Sequence, residues 1–563
     1  MNNIDSTRSI RIGVMNTKTS VQEWQARSLA KLVALDKAQI VLFIIVDENR
    51  NAQMSFETIK TDHTNPVLLE IYSKCFARPS STRITYMRQL LMAVPSIYCN
   101  VTKSTSSLNF DDEDIQTIST YDLDFILWFG SSAIDGEILN VPRYGVWTFS
   151  HSNGAKGTTG LTCFWEIYSG DDSIGAMLLR LTSENNSYVI LRQGLLRVIN
   201  YSYAQNIDET LFEIAQWPAR VCTDIANGNG EYVNAPPSPI TPCISYVPNN
   251  LQVLGFVLNI VKNRFIKIYK SLFCHQQWNI GIAYEPIHAF LKSKPKIHYL
   301  PPPRNGTFLA DPFGVIKDKR VTILCENFNY NSFKGVISSM ELLDHISPGS
   351  PLPVLDLPVH VSYPYLIEHG GDIYCVPETA AAREIGLYKA EEFPHRWIKV
   401  ASLIKNVAAI DPTIFRHGGL WWLMCTDKEQ NAFVNLFAWY AKDLFGPWKP
   451  HAANPIKTDI HSARSAGTPF EYDGFLYRPS QDCSRTYGGR IVLNRVIQLT
   501  QHKFEEEHAA IIEAHEDGSY RDGIHTISAV GDITLVDGKR IVFVGSALKR
   551  VLMRRFSKIA AYV

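Results

Sequence analysis

The pattern of apolar and polar positions divides the chain into two unlike halves. In the first, Arg11-Ile12-Gly13-Val14, Ile40 to Val46, Phe125 to Phe129 and Tyr144 to Phe149 are short, nearly unbroken apolar runs. Runs of that kind are strands covered on both faces, as in a parallel sheet. Trp24 to Leu35 spaces its apolar residues helically and completes a βαβ unit. In the second half, apolar strands come in pairs around tight turns such as His369-Gly370-Gly371-Asp372, His417-Gly418-Gly419 and Tyr472-Asp473-Gly474. That is hairpin chemistry.

The hairpins belong to a repeat. Ala310-Asp311-Pro312-Phe313, Ser362-Tyr363-Pro364-Tyr365, Ile410-Asp411-Pro412-Thr413, Gly467-Thr468-Pro469-Phe470 and Ile524-His525-Thr526-Ile527 are five versions of one segment. From Pro312 through Pro364, Pro412 and Pro469 to Thr526 the steps are 52, 48, 57 and 57 residues. A unit of about 50 residues predicts β-propeller blades. The expected fold is an α/β open sheet over residues 1–215 and a five-bladed all-β propeller over 291–563. A connector spans 216–290. It holds the proline-rich Ala235 to Pro242 and a helix from Leu251 to Phe273, opened by Asn249-Asn250. This helix is strongly apolar and carries Lys262, Arg264, Lys267 and Lys270. It either packs between domains or lies in a membrane interface.

Lys+Arg and Asp+Glu each total 55, so no global field points to a nucleic-acid partner. The ten cysteines form no CxxC pair, and no metal site is expected. No apolar run reaches the roughly 18 residues of a membrane span, and Met1 to Arg11 lacks signal-peptide order. The expectation is a cytoplasmic protein, at most peripheral to the inner face of the membrane.

Candidate chemistry sits on the repeat. Inner strands of a propeller start near its axis, so Asp311 and Asp411 should meet there. Glu326 and Glu378 each follow their blade's proline by 14 positions, and matching Tyr477 to Tyr374 sets Gln481 opposite Glu378. Clustered carboxylates push each other's pKa values apart, so one can act as base while another holds a proton. Glycoside chemistry needs that pairing. His360, Arg464, Arg478, Gln481, Asp482 and Tyr487 suit sugar hydroxyls or a phosphate. Trp421, Trp422 and Trp448 are core residues or sugar platforms. Asp before Pro also serves turns, but only two of the five copies carry it.

Two resemblances add to this. Asp124 to Leu127, Gly130, Ile134, Pro142-Arg143-Tyr144-Gly145-Val146, Gly160 and Phe164-Trp165-Glu166-Ile167 resemble the formyltransferase family over roughly residues 10–215. That family carries an Asn-x-His pair and a later Asp. Here the first position reads Thr148-Phe149-Ser150, with His151 following, and the second reads Glu184-Asn185-Asn186-Ser187. The expectation is the fold without the reaction, and formyl-tetrahydrofolate as cofactor only if the domain is active.

Phe308 to Phe313, His360 to Pro364, Val376-Pro377-Glu378-Thr379, Gly446-Pro447-Trp448, His451 to Ile456, Arg464 to Gly467 and Leu476 to Cys483 form the second set. They resemble the propeller-like domain of plant glucosamine inositolphosphorylceramide transferases, and more distantly arabinanase and xylosidase glycosidases. The resemblance implies Asp311 as base, Asp411 as second aspartate and Glu378 as acid. The plant transferases also carry a glycosyltransferase domain with Asp-x-Asp, which these residues do not cover. The expected function is glycosyl transfer or cleavage in cell-surface glycan or glycolipid synthesis. Its substrate is a sugar or sugar nucleotide, with a glycolipid acceptor or membrane surface met through Leu251 to Phe273. Sugar-amine N-formylation and a non-catalytic glycan- or lipid-binding scaffold are the alternatives.

Overall fold

A computed structural model describes residues 8–47, 67–85, 93–103, 107–130, 132–150, 163–183, 187–239, 248–343 and 347–544. The chain divides into two compact units, Met1–Arg264 and Phe265–Val563. The first unit is built on a ten-stranded open sheet. Ile10–Asn16 runs parallel to Ala38–Asp47 on one side and to Phe125–Trp128 on the other, and Val146–Ser150 follows in parallel. These are the four strands read from the apolar runs. Their side chains are buried on both faces (Ile12, Val14, Leu42, Ile44, Leu127 and Trp128 among them), which is why the runs show no alternation. Phe125 stacks on Trp147 with ring centroids 3.7 Å apart.

The second unit holds five antiparallel sheets, each a blade of the propeller. Blade one has its inner strands at Thr307–Lys317, Arg320–Asn329 and Lys334–Leu343. Blade two comprises Ser362–His369, Asp372–Glu378, Glu384–Glu392 and Arg396–Lys405. Blade three starts with Ala409–His417, Leu420–Asp427 and Asn435–Ala441, and blade four runs from Phe470–Tyr472 through Phe504–Glu513. Blade five is made from both ends of the unit. Its inner strands Ile527–Val530 and Ile533–Phe543 are completed by Cys274–Ala283, which pairs antiparallel with Ile533–Phe543 over ten residues. The propeller thus takes in a strand that precedes residue 291 and fell in the segment read as connector. This closure joins the two ends of the ring in one sheet.

The tryptophans considered as sugar platforms are in the cores of the blades. Trp421 and Trp422 are buried in hydrophobic clusters with Leu423 and Met424, respectively, and Trp448 packs against the first of these. The helix Asn250–Phe273 is present as expected and runs across the division between the units. A reciprocal box opens it: the Gln252 N–H donates to Asn249 Oδ1 (2.9 Å) and the Asn249 N–H to Gln252 Oε1 (2.8 Å).

Candidate active site at the propeller axis

The repeated segment is a bulge. In blades one, two and three the pairing register slips by an extra residue, between Ala310 and Phe313, Ser362 and Tyr365, and Ile410 and Thr413. The residue before each proline takes a left-handed backbone: φ is 51° at Asp311, 46° at Tyr363 and 49° at Asp411. Such a bulge bends the strand and re-aims a side chain. Because the left-handed turn recurs with Tyr363, the backbone does not require aspartate; the carboxylates are additional. In blade four Thr468 precedes the proline, and one place earlier stands Gly467, where a Cβ would lie 1.8 Å from the Ile527 carbonyl oxygen.

The bulges aim main-chain N–H groups at neighbouring carboxylates. The Tyr363 N–H donates to Asp311 Oδ2 (3.3 Å), the Asp311 N–H to Asp537 Oδ2 (3.1 Å), and the Asp411 N–H to Glu378 Oε2 (3.2 Å). Tyr363 fills the interior between them. Its hydroxyl accepts from the Gly467 N–H (2.8 Å) and bonds Thr413 Oγ1 (2.9 Å).

Two groupings result. In one, Asp411 Oδ2 accepts from Arg464 Nε (2.5 Å) and Gln481 Nε2 (2.7 Å). Two donors on one oxygen mark it as an acceptor. Beside it, Glu378 is pushed up to about 8 by burial and then by the Asp411 charge, with Arg464 opposing. A side-chain hydrogen bond between these two carboxyl groups also favours the proton on Glu378. In the other, Asp311 Oδ1 accepts from the Thr526 hydroxyl (2.7 Å) and lies 3.6 Å from His525 Nε2. Burial pushes Asp311 up to about 6, against His525 and with Asp411 and Asp537. Burial pulls His525 down, but Asp537 (2.6 Å from Nδ1) and Asp311 outweigh it and raise the imidazole. Glu326 is held well above the usual carboxylate range by burial, Asp311 and Glu378. Asp311, Glu326, Glu378 and Asp411 are all buried, Asp411 most deeply of the four.

The strand register bears on the repeat alignment: Glu326 lies opposite Ala310, Glu378 opposite Ser362 and Thr426 opposite Ile410. His360 sits at the rim, its Nδ1 accepting from the Gly335 N–H (2.9 Å) and its Nε2 3.5 Å from Glu326. Tyr487 lies under Arg464, whose guanidinium carbon is 4.9 Å from the ring centroid. Arg478 is elsewhere. It is buried inside blade four, where it donates to Glu506 (2.9 and 2.6 Å) and the Ser462 carbonyl (2.5 Å). Asp482 pins a turn, accepting from Ser484 N (2.9 Å) and Arg490 Nε (2.8 Å) and lying 3.2 Å from His461 Nδ1. Burial opposes its charge, but the His461 and Ser484 hydrogen bonds prevail and hold the carboxyl well below its usual range.

Tyr363, His525, Asp537 and Trp278 are site residues not singled out from the sequence. Tyr363 and His525 occupy the repeat position itself and were legible there. Asp537 stands one place off the glutamate row. Trp278, which stacks on His525 at 3.9 Å, lies on the closing strand outside the repeat. Among the described residues, Asp311, His525 and Asp537 form the one trio whose ligand atoms lie within 4.8 Å of one another. Protein donors already engage the oxygens of both aspartates. Thr526→Val is expected to cost about 1–3 kcal/mol, by leaving a buried carboxylate oxygen short of a donor; urea denaturation measures it.

In the first unit, the Thr148 hydroxyl donates to the Trp128 carbonyl (3.4 Å), and Ser150 pairs with Met177 in the sheet. His151 and Asn186 lie outside the described residues.

Residues 302–524 match the family described as "Glucosamine inositolphosphorylceramide transferase 1, N-terminal". The chain is 31% identical over 273 residues to glucosamine inositolphosphorylceramide transferase 1 of Arabidopsis thaliana, covering 46% of this chain and 35% of that protein. It is 33% identical over 253 residues to the protein of that name from Oryza sativa subsp. japonica, covering 42% and 34%. The chain therefore spans about a third of the length of these relatives. Among solved structures it is similar to Zg3597, a family 117 glycoside hydrolase of Zobellia galactanivorans. The identity is 13% and the TM-score 0.32, over 47% of this chain and 91% of that one. It is also similar to Cellvibrio cellulosa α-L-arabinanase, at 13% identity and TM-score 0.28, over 35% and 77%. The propeller resemblance carried by the sequence motifs is borne out by the family match.

Proposed function

We propose that the propeller is the sugar-handling unit of an enzyme of glycolipid or cell-surface glycan synthesis. Glu378 protonates the departing oxygen, and Asp311 takes the proton of the incoming hydroxyl. Asp411, held by Arg464 and Gln481, keeps Glu378 protonated. One observation carries the reading: a glutamic acid that holds its proton to about pH 8 beside an aspartate whose oxygen is fixed by two donors. The names of the plant relatives support an inositolphosphorylceramide-type acceptor and an amino-sugar donor. Tyr487 and the Arg464 guanidinium over it suit a sugar ring and an anionic group.

Formyl transfer and formyl-tetrahydrofolate have no part in the proposal, because Thr148-Phe149-Ser150 stands where the formyltransferase family carries Asn-x-His and Glu184-Asn185-Asn186-Ser187 where it carries the Asp. To test the reading, the full chain is incubated with sugar nucleotides and inositolphosphorylceramide, and separately with aryl glycosides. Mass spectrometry should find a sugar added to the lipid or released from the glycoside, and Glu378→Gln should stop it. Ligand binding with no turnover of any substrate would favour the scaffold reading instead.

A further inference from the structure

The helix Asn250–Phe273 has two apolar faces, and only one is covered. Val253, Phe256 and Ile260 face inward, with Phe256 against Tyr72, Phe164 and Tyr203. A second line, Leu251, Leu254, Leu258, Val261, Phe265 and Ile268, is exposed along its length, with Leu251 at 79% and Phe265 at 68%. Its spacing alternates three and four residues, so the six side chains form one continuous stripe. Lys262 and Arg264 flank the stripe on opposite sides. The helix carries two further cations, Lys267 and Lys270, and no acidic residue. The neighbouring helix Val67–Cys75 widens the apolar surface with exposed Val67 and Ile71. It is joined to the long helix by the Leu68 N–H donating to Asn250 Oδ1 (3.2 Å).

From this the geometry points to a docking face for an anionic lipid surface, with the helix lying flat and its stripe entering the headgroup region. Such a stripe needs apolar depth on one side and cations at its borders, and both are present. Among the described residues no helix is long and apolar enough to cross a membrane, so this is attachment from one side. A second copy is the less suitable occupant. A helix pair would bring two wholly basic helices together with no acidic side chain on either to offset the repulsion. The inference stands independently of the chemistry at the propeller axis.

The test is co-sedimentation of the full chain with vesicles of phosphatidylcholine alone and with added phosphatidylglycerol. Binding is expected only with the anionic lipid. Lys262→Glu/Arg264→Glu should weaken it by at least about thirtyfold, near 1 kcal/mol per cation lost. Leu258→Glu/Phe265→Glu should abolish it. Circular dichroism establishes that both variants stay folded, as exposed positions predict. Equal binding to both vesicle types, no binding, or a dimer in sedimentation velocity that Leu258→Glu dissociates would each overturn the proposal, the last in favour of a second copy.

Discussion

Glu378→Gln is expected to lower turnover about 10²–10⁴-fold, the range a general acid contributes, without lowering stability at neutral pH. Glutamine has the shape of the protonated acid. Its amide oxygen can still accept the Asp411 N–H, and its NH₂ group can donate to the Asp411 carboxylate in place of the shared proton. The pH dependence gives a second reading. Glu378 titrates near 4.5 in an unfolded chain but near 8 in the folded one. Between these values the folded state binds the extra proton, so the contribution of this group to stability is full below about pH 4.5 and declines as pH rises toward 8. Removing the group removes that slope. Urea midpoints at several pH values should show the variant's advantage growing from pH 5 to pH 8. Parallel curves would mean that Glu378 is not the group holding the proton.

The sequence disclosed the blades and the shared repeat position of Glu326, Glu378 and Gln481, because these rest on local spacing repeated along the chain. It disclosed less where a contact joins distant segments. The strand Cys274–Ala283 belongs to blade five only because the ring closes, and nothing in its own sequence carries the repeat; Trp278 was missed with it. Arg478 reads as a ligand because its guanidinium suits sugar hydroxyls or a phosphate and it stands on the strand of Gln481. Its partner Glu506 lies 28 residues away on the strand Phe504–Glu513, which is mostly exposed. The left-handed bulges could not be inferred either. Asp-Pro suggests a turn, whereas the structure places the same backbone under Tyr363, where no side-chain carboxylate assists it.

The double variant Asp411→Asn/Glu378→Gln is expected to lose about 3–5 kcal/mol, the cost of leaving a buried charge without its partner. Arg464 is the charge in question: Asp411 accepts its Nε–H, and Glu378 is the other carboxyl acting on it. Asp411→Asn alone should cost much less. With the Asp411 charge gone, the main electrostatic influence raising Glu378 disappears while Arg464 remains; burial still favours the proton, so Glu378 falls below about 8 and a larger fraction of it at neutral pH is ionised against the guanidinium. The same shift takes the proton from the catalytic acid. Asp411→Asn should therefore be less active at neutral pH and recover activity toward acid pH, a displacement that simple loss of folding does not produce. Denaturant unfolding of the wild type, both single variants and the double variant closes the cycle. The double variant should cost more than the sum of the singles. Additive costs would show that Glu378 does not take over Arg464, and the pairing assigned to the axis would then be wrong.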